Sequence, residues 1–124
     1  MSNPSGGKGN SLGLAVGATN LACTGDGQRP VIHPSAATLQ RGMTLTGFVD
    51  RVGDPVPMVA GDGSRHRPEM LLVEALDGVA RAAARTPVAE VAVAVPAHWR
   101  PAMVEALRGA LRSKPGLARS PLVS

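Results

Sequence analysis

Four consecutive residues, Gly17-Ala18-Thr19-Asn20, have the types and the setting to hold an anion. The apolar run Leu12-Gly13-Leu14-Ala15-Val16 leads into them, and Leu21-Ala22-Cys23 leads out. Apolar run, small polar corner, apolar run predicts strand, tight turn, strand. Gly17 carries no Cβ, so the chain can reverse sharply there and turn its N–H groups outward. Such a nest of N–H groups suits a phosphate.

The other chemistry-bearing residues are more isolated. His98 follows a predicted strand end, where α/β folds often build sites. It has no Cys, Asp or Glu ligand near it in sequence and no serine-nucleophile motif, so it reads as a structural or surface histidine. His33 and His66 stand alone and read the same way. Gly53-Asp54-Pro55 and Gly61-Asp62-Gly63 are turns; neither has the spaced carboxylates and closing Glu of a calcium loop. Gly6-Gly7-Lys8-Gly9 lacks the Ser or Thr, the glycine spacing and the preceding strand of a Walker A loop. Cys23 is the single cysteine, which excludes an internal disulfide and a cysteine zinc site. Inside an apolar run, it reads as a small buried hydrophobe.

These residues need elements to position them. Met1 to Asn10 has no periodicity and reads as a flexible leader. Strands are expected at Leu12–Val16, at about Thr19–Thr24 and at Arg29–His33, the last two joined by the hairpin turn Gly25-Asp26-Gly27. Met43–Val49 alternates partially, and Val56–Ala60 is a short extended piece. Pro68 opens a helix of about seventeen residues, with Glu69 in its first turn and Leu72, Leu76, Val79 and Ala83 along one face. Arg81 and Arg85 suit its C-terminal end, and Thr86-Pro87 stops it. Val88–Val95 is almost all Val and Ala and is expected to be a central strand covered on both faces. Pro101 opens a second helix to about Arg112, with Met103, Leu107, Ala110 and Leu111 facing the core. Trp99 is expected to pack under it. Leu117–Val123 starts one more strand.

The 124 residues suffice for one domain burying roughly two-thirds of its surface. Hydrophobic residues make up 44%, but there is one Trp, one Phe and no Tyr, so Ala, Val and Leu must build the core. The lack of aromatics argues against stacking on single-stranded nucleic acid or sugars. The net charge of +4 comes from scattered Lys and Arg and reads as a solvated surface. No run of eighteen apolar residues exists, and the N-terminus lacks a signal-peptide core, so a cytoplasmic protein is expected.

Three short segments resemble one family. Gly13-Leu14-Ala15-Val16-Gly17-Ala18-Thr19-Asn20-Leu21 is similar to G-[IL]-D-[LF]-G-T-T-N-S, the first phosphate loop of the actin-like ATPases, in particular the DnaK-type 70-kilodalton heat-shock chaperones. Gln28 to Ser35 is similar to their K-P-x-V-I-P-N segment. Val93-Ala94-Val95-Pro96-Ala97-His98-Trp99 resembles their [IV]-T-V-P-A-[YH]-[FW]. The motifs fall in family order from about Leu12 to Val123.

The resemblance implies an α/β, ribonuclease-H-like half-lobe: a mixed five-stranded sheet of order 3-2-1-4-5 with two helices, occupying 11–124 as a partial actin-like ATPase N-terminal subdomain. It implies that Gly17, Ala18, Thr19 and Asn20 correspond to the loop that contacts the β- and γ-phosphates of ATP. The family's Asp before that loop holds magnesium through water and helps orient the attacking water, and such positioning supplies most of the rate in phosphoryl transfer. Ala15 stands in its place, Ala18 replaces a hydroxyl, and Leu21 replaces a Ser. Asp50 and Asp54 are the middle-region carboxylates that could substitute, and nothing in their spacing argues that they do. The second phosphate loop, D-L-G-G-G-T-x-D, is absent from the 124 residues. The expectation is a degenerate, non-hydrolysing segment acting by binding or interaction, with no catalytic residue, no metal site and no cofactor for this chain alone. ATP or ADP with magnesium belongs to a full-length parent. Expected partners are the remainder of that parent, another copy of the chain, or a protein client, with neither nucleic acid nor membrane. The alternatives are part of an active ATP-binding chaperone whose other lobe lies elsewhere, and a self-associating structural module.

Overall fold

The structure is a computed structural model that describes residues 10–25, 29–39, 42–83 and 88–123. The Asp26-Gly27 part of the first hairpin turn, the helix-stopping Thr86-Pro87, Arg85 and residues 1–9 of the expected leader lie outside the described residues.

A five-stranded mixed sheet organises the chain. Its strands are β1 (Asn10–Val16), β2 (Asn20–Gly25), β3 (Val31–Pro34), β8 (Val88–Ala94) and β9 (Leu122–Val123). Their spatial order is β3-β2-β1-β8-β9, which is 3-2-1-4-5 when the sheet strands are counted along the chain. β1, β2 and β3 are an antiparallel meander, and β8 and β9 add in parallel beside β1. Between β3 and β8 lie two small hairpins and a helix. One hairpin pairs β4 (Ala36–Thr38) with β5 (Thr44–Thr46), and the other pairs β6 (Met58–Val59) with β7 (Arg65–His66). The partial alternation of Met43–Val49 yields only three strand residues. The chain then enters a 3-10 turn at Val49–Arg51, which buries Phe48 and Val49 in the core.

Helix α1 (Pro68–Ala83) begins at its proline, and α2 (Pro101–Leu111) begins at Pro101 after the extended residue Arg100. Proline fixes a helical φ and lacks the N–H that the first turn leaves unpaired. α1 buries more than one stripe. Leu71, Val73 and Ala75 join the expected Leu72, Leu76 and Val79. It packs against β1 and β2 on one side and against α2 and β4 on others. α2 contributes Leu107, Ala110 and Leu111 to the same core. The two helices are also tied by Lys114 Nζ and Glu74 Oε2 at 2.8 Å. No helix among the described residues is long and apolar enough to cross a membrane.

Both helices serve one face of the sheet. Leu12, Leu14 and Val16 of β1 and Val91, Val93 and Val95 in and after β8 are buried there. The expected burial of the β8 run on both faces is not observed. Glu90 is exposed, and Ala92 and Ala94 are only half-buried, because no described element covers the second face.

Candidate phosphate loop and the open sheet face

β1 ends at Val16 and β2 begins at Asn20, so Gly17, Ala18 and Thr19 form the reversal, with Asn20 the first residue of β2. Glycine is required at 17 by close approach. A Cβ there would lie 2.8 Å from the Asn20 carbonyl oxygen. Gly17 is not among the positive-φ glycines, so tightness of the turn, rather than handedness, selects it.

Ser35 pins the loop from outside. Its hydroxyl donates to the Gly17 carbonyl at 2.8 Å, and its N–H donates to the Thr19 carbonyl at 2.9 Å. Ser35 is 3% exposed, one of two buried polar or charged residues among those described. Its role was not legible in sequence, because Ser35 is 18 residues from Gly17 and sits just after β3. With the carbonyls engaged, Ala18, Thr19 and Asn20 are left exposed. Among the described residues, the N–H groups of Ala18 and Thr19 have no hydrogen-bond acceptor. Asn20 Nδ2 donates to Thr19 Oγ1 at 3.3 Å. The turn therefore presents two exposed N–H donors without an acceptor among the described residues.

The magnesium side of the chemistry does not fit. Ala15 is exposed on the open face of the sheet. Its lateral neighbours are Ala22 on β2 and Ala94 on β8. Ala22 in turn faces Ile32 on β3, and Ala94 faces Val123 on β9. This row, Ile32-Ala22-Ala15-Ala94-Val123, crosses all five strands and holds no charged or polar side chain. Glu90 is the carboxylate on this face among the described residues; it pairs with Ser11 at the far end of β1. Four residues of strand separate it from Ala94, about 13 Å. No group of three or more His, Cys, Asp or Glu side chains among the described residues could hold a metal ion.

Asp50 and Asp54 gather elsewhere. Together with His98, Arg100 and Met103 they line a groove of about 610 Å³ at the start of α2. Asp54 is engaged in its turn, as its position before Pro55 predicts. It accepts from the Val56 N–H at 2.9 Å and pairs with Arg51 at 3.5 Å. α2 contributes to the core on the covered face, so neither Asp faces Ala15. His98 is exposed, and Trp99 is buried as expected, but its Nε1–H has no partner among the described residues. His33 is half-buried on β3 and makes no described side-chain hydrogen bond, whereas His66 does not stand alone: its ring meets Ser64.

Among solved structures, the chain is similar to a non-polymerising point mutant of MamK bound to AMPPNP, at 18% identity and a TM-score of 0.61. The likeness supports a ribonuclease-H-like half-lobe fold, with its mixed five-stranded sheet and two helices. The match covers 94% of this chain and 41% of the MamK chain, so the chain spans less than half the length of that relative. No protein-family model matches the sequence, and no curated protein does.

Proposed function

We propose that this chain is the N-terminal segment of a degenerate, heat-shock-chaperone-like nucleotide-binding domain that acts by binding rather than by hydrolysis. One observation carries the reading. The position that would bear the magnesium-holding carboxylate is Ala15, flanked on both sides by alanine, with Glu90 about 13 Å away along the sheet. The loop Gly17-Ala18-Thr19-Asn20 is the degenerate phosphate site, and residues 11–124 are the partial subdomain. The chaperone-like segment around Pro96-Ala97-His98-Trp99 supports the specific kinship. A cytoplasmic setting and a full-length parent that binds ATP or ADP with magnesium belong to the same reading.

Calorimetric titration of the 124-residue chain with magnesium-ATP tests it. The expected result is no turnover and no saturable binding in the micromolar range. Micromolar affinity or measurable hydrolysis overturns the reading. In the full-length parent, Ala15→Asp separates it from an active ATPase with a replacement carboxylate. Activity that is already high and unchanged by the substitution favours the enzyme.

A second reading follows from the open face. Ile32 and Val123, 60% and 50% exposed, flank a floor of Gly13, Ala15, Ala22, Ala92 and Ala94. A sheet face and edge of this kind are surfaces for the rest of the parent, a protein client or a second copy. Light scattering at high concentration decides the last case. A dimer lost on Ala15→Glu supports self-association through this face, and a clean monomer rules it out.

A further inference from the structure

β3 is one edge of the five-stranded sheet, with β2 on its inner side. The stretch Pro30-Val31-Ile32-His33-Pro34 carries no Lys, Arg, Asp or Glu. Val31 and Ile32 are 53% and 60% exposed and, as consecutive strand residues, point to opposite faces. An exposed apolar edge of this kind is a template for a strand of another chain, unless charge, shortness or proline blunts it. β9, at the other edge, is two residues long. β3 is left with its prolines.

Where those prolines fall decides what they do. In an antiparallel ladder, a residue that bonds its neighbour turns both its N–H and its C=O to that side. The next residue turns both away. The Ser35 N–H donates to the Thr19 carbonyl at 2.9 Å. The register runs on from there without a shift, His33 opposite Leu21 and Val31 opposite Cys23. Val31, His33 and Ser35 therefore bond inward to β2. Pro30, Ile32 and Pro34 turn outward, and all three are exposed. Proline has no N–H, so Ile32 supplies the single outward donor of this stretch. Both prolines sit where the missing N–H takes nothing from the β2 ladder.

We propose that Pro30 and Pro34 close the β3 edge against strand addition, and most strongly against a second copy of this chain. In an antiparallel pairing of two β3 edges centred on Ile32, Pro30 of each copy stands opposite Pro34 of the other. Neither member of that pair can donate, so every flanking bond is lost. Only the pair of bonds between the two Ile32 residues remains. A foreign strand loses less, because its own N–H groups can still reach the proline carbonyls. The closure does not rest on the reading of the open sheet face, since contact through the Ala15 row needs no strand pairing.

Amide exchange of the 124-residue chain reads the geometry. Val31 and His33 are expected to exchange slowly, and Ile32, between them, at least about tenfold faster. Protection of Ile32 equal to that of its neighbours overturns the proposal. The block itself is tested in an Ala15→Glu background, which removes association through the open face. There Pro30→Thr and Pro34→Thr together are expected to raise the association constant at least about tenfold in sedimentation equilibrium, and each alone by less. Ile32 exchange should slow as the copies pair. A double variant that keeps slow exchange at Val31 and His33, yet associates no more than Ala15→Glu alone, overturns the proposal. Pro30→Thr lies outside β3 and decides the matter alone if Pro34→Thr disturbs the neighbouring Ser35 corner. No rise in association with Pro30→Thr then overturns the proposal, and a rise supports it.

Discussion

The Ser35 hydroxyl donates to the Gly17 carbonyl at 2.8 Å, so the corner after β3 holds the turn between β1 and β2. The bond is part-buried and bridges residues 18 positions apart. Ser35→Ala leaves the Gly17 carbonyl without that donor, while the backbone bond from residue 35 to Thr19 survives. The expected loss is about 1–2 kcal/mol in chemical denaturation. Faster amide exchange at residue 35, whose N–H bonds the Thr19 carbonyl, should accompany it, and Ser35→Thr should restore part of both.

Gly17 and Gly13 should respond oppositely to alanine. At Gly17 the added Cβ meets the Asn20 carbonyl oxygen at 2.8 Å, and that oxygen belongs to the backbone of β2. Gly17→Ala is expected to cost about 1–3 kcal/mol. At Gly13 the nearest atom is the Thr24 carbonyl oxygen at 3.9 Å. Gly13→Ala fits without a clash and reduces unfolded-chain entropy, so it should be neutral or stabilising by up to about 1 kcal/mol. Paired thermal melts of the two variants check the contrast.

Trp99 is 7% exposed and buries an indole N–H that has no described partner. An unpaired buried donor costs about 1–3 kcal/mol. Trp99→Phe removes that donor while losing ring area, so the two effects offset and the change in stability should stay within about 1 kcal/mol. Trp99→Ala loses the packing outright and should cost about 3–5 kcal/mol. Comparable destabilisation by Phe and Ala would show that the N–H is satisfied.

The Ser64 hydroxyl and N–H hold the Asp62 carboxyl below its ordinary value of 3.8. A carboxyl depressed in the folded state stabilises above its unfolded pKa, and that contribution is lost as pH falls through the folded value. The Asp62–Ser64 contact should therefore be intact at neutral pH and weaken only below about pH 3.8. An NMR titration of Asp62 checks this, and Ser64→Ala should raise its midpoint toward the ordinary value.

Cys23 is 3% exposed on β2, and burial pushes its thiol pKa up. A thiol so held is a poor nucleophile. Thiol reagents at pH 8 should leave the native chain unmodified and label Cys23 fully in denaturant, as mass spectrometry can follow.

Much of the fold was legible along the chain because its signals are local. Pro68 and Pro101 start helices wherever an apolar stripe follows, since proline's φ and missing N–H act on its own turn. Leu12–Val16, Gly17 and Leu21–Cys23 announce strand, turn and strand for the same reason. The order 3-2-1-4-5 followed from the family resemblance and appears in the register of β1 with β2 and β8. The β4 and β7 strands went unseen. Each has two or three residues, too few for a period, and exists only because a partner strand pairs with it.

The types at Ala15 and at Gly17 through Asn20 were determined by sequence alone. Whether a carboxylate stands near Ala15 depends on lateral neighbours across the sheet, which are far apart in sequence. Only the tertiary structure placed Ala22 and Ala94 beside Ala15, set Asp50 and Asp54 with α2, and brought Ser35 onto the Gly17 carbonyl. Among the described residues it likewise leaves one sheet face uncovered, where residues that read as a doubly buried strand alternate between Val under the helices and half-buried Ala. Backbone preferences act within a few residues, whereas these relations arise from strand pairing and packing over tens of residues.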